Sequence, residues 1–204
     1  MKINKKKFLY LISPNKVLKT FYGDLIEVFR SNKISFFQLR LKKTSFKNEL
    51  RIAKKIKKIC RKFKVKLLIN DDPLLAKKIN ADGCHLGQND MNINDARKLL
   101  KKKIIGITCH NSLTVAKKAI GNIADYIAFG AFYFTKTKKI KYKANISLIK
   151  KIKNSSNIPV VAIGGINNFN YKKLLLNKAD FLAISGYIWK NKKLKPLDAI
   201  KKLK

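Results

Sequence analysis

Residues 36–70 read FFQLRLKKTSFKNELRIAKKIKKICRKFKVKLLIN, and the fold is decided there. Phe36 to Arg40 and Lys66 to Asn70 are short apolar runs of strand character. Between them Leu50, Ala53, Ile56 and Ile59 recur at the three- and four-residue spacing of an amphipathic helix. Two strands separated by a helix of that length are a parallel pair, because a parallel connection needs a crossover of a dozen or more residues. The same unit repeats outward in both directions. Phe8 to Ile12, Gly83 to Gly87, Ile104 to Thr108, Tyr126 to Gly130, Val160 to Gly164 and Phe181 to Ser185 complete eight candidate strands, and Ile146, Ile149 and Ile152 mark a further helix. Eight strands favour an α/β protein of the compact (β/α)8 TIM-barrel type. An open doubly wound sheet would normally place a Gly-rich turn after its first strand, where this chain has Ser13, Pro14 and Asn15.

With 204 residues, of which 46% are hydrophobic, the chain can bury one core and is short for two, so a single barrel domain over residues 1–204 is expected. Loops in so small a barrel must be short. Lys and Arg number 48 against 11 Asp and Glu, a formal charge of +37. Such a charge suggests nucleic acid first, yet arginine, the residue suited to bidentate phosphate and guanine contacts, occurs only at Arg30, Arg40, Arg51, Arg61 and Arg97. Lysine, asparagine and isoleucine, all drawn from A/T-rich codons, are spread along the whole chain. The excess therefore reads as composition, and nucleic acid is not the expected partner. A positive surface still attracts small anions.

Runs such as Pro159 to Ile163 fall far short of the roughly 20 apolar residues that span a bilayer. Phe8 to Ser13 is too short for a secretory signal. No membrane association and a cytoplasmic location are expected. Cys60, Cys84 and Cys109 form no C-x-x-C and read as reduced packing residues.

Barrels of this kind carry their chemistry at the carboxyl ends of the strands. Alternation puts Gln38, Arg40 and Lys42 on one face, and two cations at a barrel mouth call for an anion. Asn70-Asp71-Asp72-Pro73 and Gly87-Gln88-Asn89-Asp90 close adjacent strands. Their carboxylates suit a hard divalent ion such as Mg2+, which favours oxygen ligands and substrate phosphates; the alternative is that they cap the helices that follow. Thr135-Lys136-Thr137-Lys138 offers two hydroxyls and two cations to a phosphate. Gly164-Gly165 and Gly186, after strands seven and eight, stand where these barrels usually bind one. His85 and His110 are either acid–base groups or satisfied hydrogen-bonding residues. Trp189 reads as helix packing.

Taken in order, these segments resemble the thiamine-phosphate synthase family and its thiazole-tautomerase branch. The carriers are Gln38-Leu39-Arg40-Leu41-Lys42, Asn70-Asp71, Ala81 to Asp90, Ile105-Gly106-Ile107-Thr108, Ala124-Asp125-Tyr126, Thr135 to Lys138 and Ile163 to Ile166. The resemblance implies Mg2+-dependent joining of a pyrimidine diphosphate, 4-amino-2-methyl-5-pyrimidinylmethyl diphosphate, to a thiazole phosphate. It implies Asp71 and Asp90 as metal ligands, with Arg40, Lys42, Asn70, Thr108 and Lys138 on the pyrophosphate. Gln38 and His85 would sit beside the pyrimidine, and Thr135, Thr137, Gly165, Ser185 and Gly186 on the thiazole phosphate. The chain departs from the family at Thr108, where serine is common, and at Ala131 and Phe134, where prolines are usual. It also has Asp72 in place of a basic residue, and the Lys-rich stretch after Lys138, a candidate lid, lacks the usual Pro/Gly pattern. Competing readings are a tautomerase without synthase activity and a basic nucleic-acid-binding protein. The residues do not decide between a monomer and a homo-oligomer.

Overall fold

The computed structural model describes residues 7–135, 137 and 140–203. Eight parallel strands close into a barrel in sequence order: β1 (Leu9–Ile12), β2 (Ile34–Leu39), β3 (Lys66–Asn70), β4 (Gly83–Leu86), β5 (Ile104–His110), β6 (Tyr126–Gly130), β7 (Val160–Ile163) and β8 (Phe181–Ile184), with β8 paired back on β1. Helices α1 (Phe21–Arg30), α2 (Phe46–Lys62), α3 (Pro73–Lys78), α4 (Ile93–Leu100), α5 (Leu113–Gly121), α6 (Ile146–Ser155) and α7 (Tyr171–Leu176) fill the connections. The short α8 (Gly186–Trp189) and α9 (Pro196–Lys201) follow the last strand. The expected strands are all present. β2 starts two residues earlier than its apolar run suggests, because Ile34 pairs with Leu9; β5 continues to His110, which pairs with Phe129 beyond a register shift.

The helices begin where the sequence supplies caps. Ser45, Asp72, Asn92, Ser112 and Asn145 each accept a backbone N–H from the first turn of the helix that follows. Each helix then turns its apolar stripe onto the outside of the barrel. Leu25, Val28, Ile56, Ala96, Ile149 and Leu174 are fully buried in that outer core.

Strand alternation sends every second side chain into the bore instead. Tyr10, Phe36, Leu68, Tyr126, Val161 and Phe181 form a separate inner core. Four aromatic rings dominate it. Phe36 meets Phe181 edge-on at 5.0 Å between ring centroids, and Tyr10 lies 5.8 Å from Tyr126 at 70°. Room for Tyr126 exists only because Gly106 has no side chain: a Cβ there would fall 1.8 Å from Tyr126 Cζ.

The amino-terminal rim is built from a repeated device. Asp82, Asp125 and Asp180 stand immediately before β4, β6 and β8. Their Oδ2 atoms accept the backbone N–H of Leu67, Ile105 and Val160 at 2.9, 2.8 and 2.7 Å. Each also meets a cation, Lys66 at 3.0 Å, Arg97 at 2.6 Å and Lys153 at 2.6 Å. Every carboxylate thus ties its own strand to the preceding one and holds a cation, Lys66 on β3 itself, Arg97 on α4 and Lys153 on α6. No helix among the described residues is long and apolar enough to cross a membrane.

The Lys153–Asp180 pair is the most enclosed of the three, with side-chain exposures of 14% and 16%. Removing one member of such a pair leaves a buried charge without a partner. Asp180→Ala should therefore cost about 3 kcal/mol of unfolding free energy, read from the midpoint and slope of a urea transition. A change below about 1 kcal/mol, in the range of an exposed pair, would refute a structural role for this rim.

Candidate active site

All eight strands run the same way, so their carboxyl ends share one rim, and the side chains at the last bore-facing positions meet there. Gln38, Asn70, His85 and Thr108 occupy those positions on β2, β3, β4 and β5. They form two contacts: Gln38 Nε2 donates to Asn70 Oδ1 at 2.6 Å, and His85 Nε2 lies 2.7 Å from Thr108 Oγ1. Gln38 and His85 are buried, while Asn70 and Thr108 are half-buried and look outward to the mouth.

The Asn70-Asp71-Asp72-Pro73 segment divides its two carboxylates between two tasks. Asp72 Oδ1 accepts the Leu75 N–H at 2.8 Å and caps α3. Asp71, one residue earlier, adopts φ +65°, and its N–H reaches the carbonyl of His85 at 2.8 Å. Its carboxyl is thereby turned toward Asp90. Partial burial and the neighbouring Asp90 carboxyl together push Asp71 up to about 6, against the pull of the Arg40 guanidinium and of Asn70. Asp90 is not the cap of α4, which is Asn92; it accepts the Gly87 N–H at 2.6 Å. Two carboxylates held together, with their mutual repulsion only partly offset by Arg40, are a donor set that a divalent cation satisfies. Among the described residues no third His, Cys, Asp or Glu joins them. The pair fits Mg2+, which takes one or two protein carboxylates and completes its shell with water and substrate phosphate oxygens.

Arg40 is placed by the loop after β1. The Ser13 hydroxyl accepts the Arg40 N–H at 2.9 Å, and Arg40 Nη1 donates to Asn15 Oδ1 at 3.1 Å. No ion pair joins Arg40 to any described carboxylate, so its charge faces the mouth without a partner of its own. Lys42 is exposed on the same side, its backbone N–H bonded to the Asn15 carbonyl at 3.1 Å.

On the opposite arc, the loop after β6 folds over the ends of β7 and β8. Gly165, at φ +66°, packs so closely that a Cβ would lie 2.3 Å from the Phe134 carbonyl oxygen, and one on Gly186 would lie 2.8 Å from Thr137 Oγ1. At Gly165, where the close atom is backbone and φ is positive, only glycine allows this approach. Thr135 Oγ1 accepts the Thr137 N–H at 3.2 Å, and Ser185 donates to the Ser13 carbonyl at 3.2 Å. Thr135, Thr137, Gly165, Ser185 and Gly186 are thus gathered in one wall of the mouth. Lys138, expected on the pyrophosphate, lies outside the described residues, as do Lys136 and Lys139 in the same loop. The far end of the candidate lid is fastened: the Ala131 N–H bonds the Tyr142 carbonyl at 3.0 Å and the Ala144 N–H bonds the Ala131 carbonyl at 2.9 Å.

The two histidines separate. The His110 ring packs on Tyr142, 4.3 Å between centroids. His85 has both ring nitrogens engaged, Nδ1 with the Tyr126 hydroxyl at 2.8 Å and Nε2 with Thr108. Burial pushes its pKa down to about 4, outweighing the nearby Asp90 carboxylate. As held, it is a neutral ring with neither nitrogen free to contact a substrate directly. Trp189, besides packing on Phe21, donates from Nε1 to the Ile12 carbonyl at 2.7 Å. Sequence reasoning missed Asn15, Tyr10 and Tyr126. The two tyrosines could have been found by extending strand alternation inward from His85, whereas nothing in the sequence points to Asn15.

The model for thiamine monophosphate synthase matches residues 9–188. The chain is 69% identical to the thiamine-phosphate synthase of Pelagibacter ubique strain HTCC1062, over 100% of both chains. It is 40% identical to that of Clostridium acetobutylicum, over 92% of this chain and 89% of the relative. Among solved structures, thiamine phosphate pyrophosphorylase from Pyrococcus furiosus superposes with a TM-score of 0.85 at 26% identity, covering 98% of this chain and 95% of that one. Barrel, mouth and sequence agree, and this chain belongs to the thiamine monophosphate synthase family.

Proposed function

We propose that the chain is a transferase that makes thiamine phosphate, coupling 4-amino-2-methyl-5-pyrimidinylmethyl diphosphate with thiazole phosphate and releasing pyrophosphate, in the cytoplasm and with Mg2+. The observation that carries this reading is the gathering at one rim of an unpaired arginine, a repelling carboxylate pair and a threonine–glycine wall, in a chain 69% identical to a thiamine-phosphate synthase. One arc of the mouth suits a pyrophosphate and the opposite arc a second phosphate.

In this reading Arg40, Lys42, Asn70, Thr108 and Lys138 hold the pyrophosphate of the first substrate. Thr135, Thr137, Gly165, Ser185 and Gly186 hold the phosphate of the second. Asp71 and Asp90 hold Mg2+, which when bound neutralises charge on the departing pyrophosphate. The aminopyrimidine ring is electron-rich, so the bond to the leaving group breaks first and leaves a stabilised methylene cation. The thiazole nitrogen then captures it. Charge grows on the pyrophosphate as that bond opens, and the fixed Arg40 guanidinium and Thr108 hydroxyl interact more strongly with the transition state than with the bound substrate. The attacking nitrogen carries no proton, so no general base is required, consistent with a His85 whose nitrogens are both occupied. Gln38 and His85 form the floor against which the pyrimidine rests.

Pyrophosphate release should require both substrates and Mg2+ together, followed with a coupled phosphate assay. Release with one substrate alone, or undiminished in excess chelator, would sink the reading. Asp71→Ala should lower turnover by about 100-fold or more, in the range of a lost charge-stabilising group, with a urea midpoint close to that of the parent. Turnover at the parental level in that variant would remove the metal assignment.

A further inference from the structure

Beneath the mouth a chain of hydrogen bonds runs down into the bore. Tyr10 Oη lies 2.8 Å from Tyr126 Oη, Tyr126 Oη lies 2.8 Å from His85 Nδ1, and His85 Nε2 lies 2.7 Å from Thr108 Oγ1. The proposed chemistry uses Thr108 and does not use the two tyrosines. Counting protons gives them a task. A neutral imidazole contributes one, and Tyr10, Tyr126 and Thr108 contribute one each, so four protons serve three hydrogen bonds. The spare proton is left on Thr108 at the outer end or, within the bore, on Tyr10 or Tyr126, whose hydroxyls are both buried.

The inner end is closed. Tyr10 is 1% exposed, among Phe36, Tyr126 and the other side chains of the inner core, and among the described residues its hydroxyl has no partner besides Tyr126. A spare proton there would be a buried donor without an acceptor, which costs its full desolvation. The outer end is open, since Thr108 is half-buried at the mouth. The arrangement that satisfies every buried proton runs outward: Tyr10 donates to Tyr126, Tyr126 to His85 Nδ1, and His85 Nε2–H to Thr108 Oγ1. The Thr108 proton is then directed into the mouth. An imidazolium would add a fifth proton and leave one more donor stranded in the bore.

We infer that Tyr126, backed by Tyr10, is a positioning residue that fixes the tautomer of His85 and so holds the Thr108 hydroxyl as a hydrogen-bond donor to an anion at the barrel mouth. The inference deepens the function proposed above and rests on its assignment of pyrophosphate to that arc. A threonine free to rotate would spend part of its time accepting, with its lone pairs toward the anion. Here the accepting site is already taken from below. The device also accounts for Gly106, whose missing side chain lets the Tyr126 ring lie against His85, 5.6 Å between centroids and 17° from parallel.

The experiment has two arms. The first places nitrogen-15 in the histidine rings of the full chain, which has only two, and reads the tautomer at neutral pH from long-range proton–nitrogen correlations. The expected result is a neutral His85 with its proton on Nε2; a proton on Nδ1 overturns the relay and needs no variant to fold. The second arm titrates Mg2+ and inorganic pyrophosphate into the parent, Tyr126→Phe, Thr108→Val and the double variant by calorimetry. Each single variant should bind pyrophosphate about five- to ten-fold more weakly, the worth of one hydrogen bond. The double variant should bind no more weakly than Thr108→Val, because Tyr126 acts through Thr108. Losses that multiply, or a Tyr126→Phe variant with parental affinity, overturn the relay while leaving the pyrophosphate site in place. A parent that binds no pyrophosphate overturns the functional reading, and the tautomer then reports the hydrogen-bond chain separately.

Discussion

A closed barrel of eight short parallel strands encloses a bore that water cannot be left to fill, and this chain fills it with aromatic rings. Tyr10, Phe36, Tyr126 and Phe181 close the lower bore, and the small residues around them, above all Gly106, are chosen by what those rings require. The polar layer of Gln38, Asn70, His85 and Thr108 can then sit directly on an apolar floor. Buried polar groups are tolerable there only because they bond to one another or to the tyrosine hydroxyls beneath. Packing and site are consequently one construction: the rings that stabilise the barrel also end in the hydroxyls that orient its mouth.

The scarce carboxylates are divided between the two rims according to how they are paired. At the amino-terminal rim Asp82, Asp125 and Asp180 each hold a strand N–H and a cation, so their charge is neutralised within the protein. At the carboxyl rim Asp71 and Asp90 face each other, and Arg40 bonds to a neutral asparagine instead of an acid. The first arrangement is complete as it stands. The second is short of one cation between the acids and one anion before the arginine. In the proposed function, a metal pyrophosphate would correct that imbalance.

Much of this was legible from residue order. The short apolar runs located all eight strands, and the rule that chemistry sits at strand ends selected Gln38, Arg40, Asn70, Asp71, His85 and Asp90, whereas Thr108 entered only through the family resemblance. Lateral relations were harder to read. Asp71 and Asp72 are equivalent in composition, and only the left-handed backbone at Asp71 assigns one to the mouth and the other to capping α3. The Ala-Asp pairs at 81–82, 124–125 and 179–180 went unread in the sequence, because their role depends on hydrogen bonds to the preceding strand that no spacing within one strand encodes. His85 invited an acid–base reading because a lone histidine near a strand end carries no mark of what lies below it. Alternation names Tyr126 as bore-facing, but the meeting of its hydroxyl with His85 depends on barrel stagger and on the vacancy at Gly106.

The same inner hydroxyls set an alkaline limit to the fold. Burial raises both phenols well above their ordinary value of 10.0, most strongly by withholding water from the phenolate. Past that value an opened chain gives up protons that the closed barrel keeps, so the balance tips toward unfolding as alkali is added. The tyrosines that align the mouth near neutrality thus become, in base, the residues that favour taking the barrel apart.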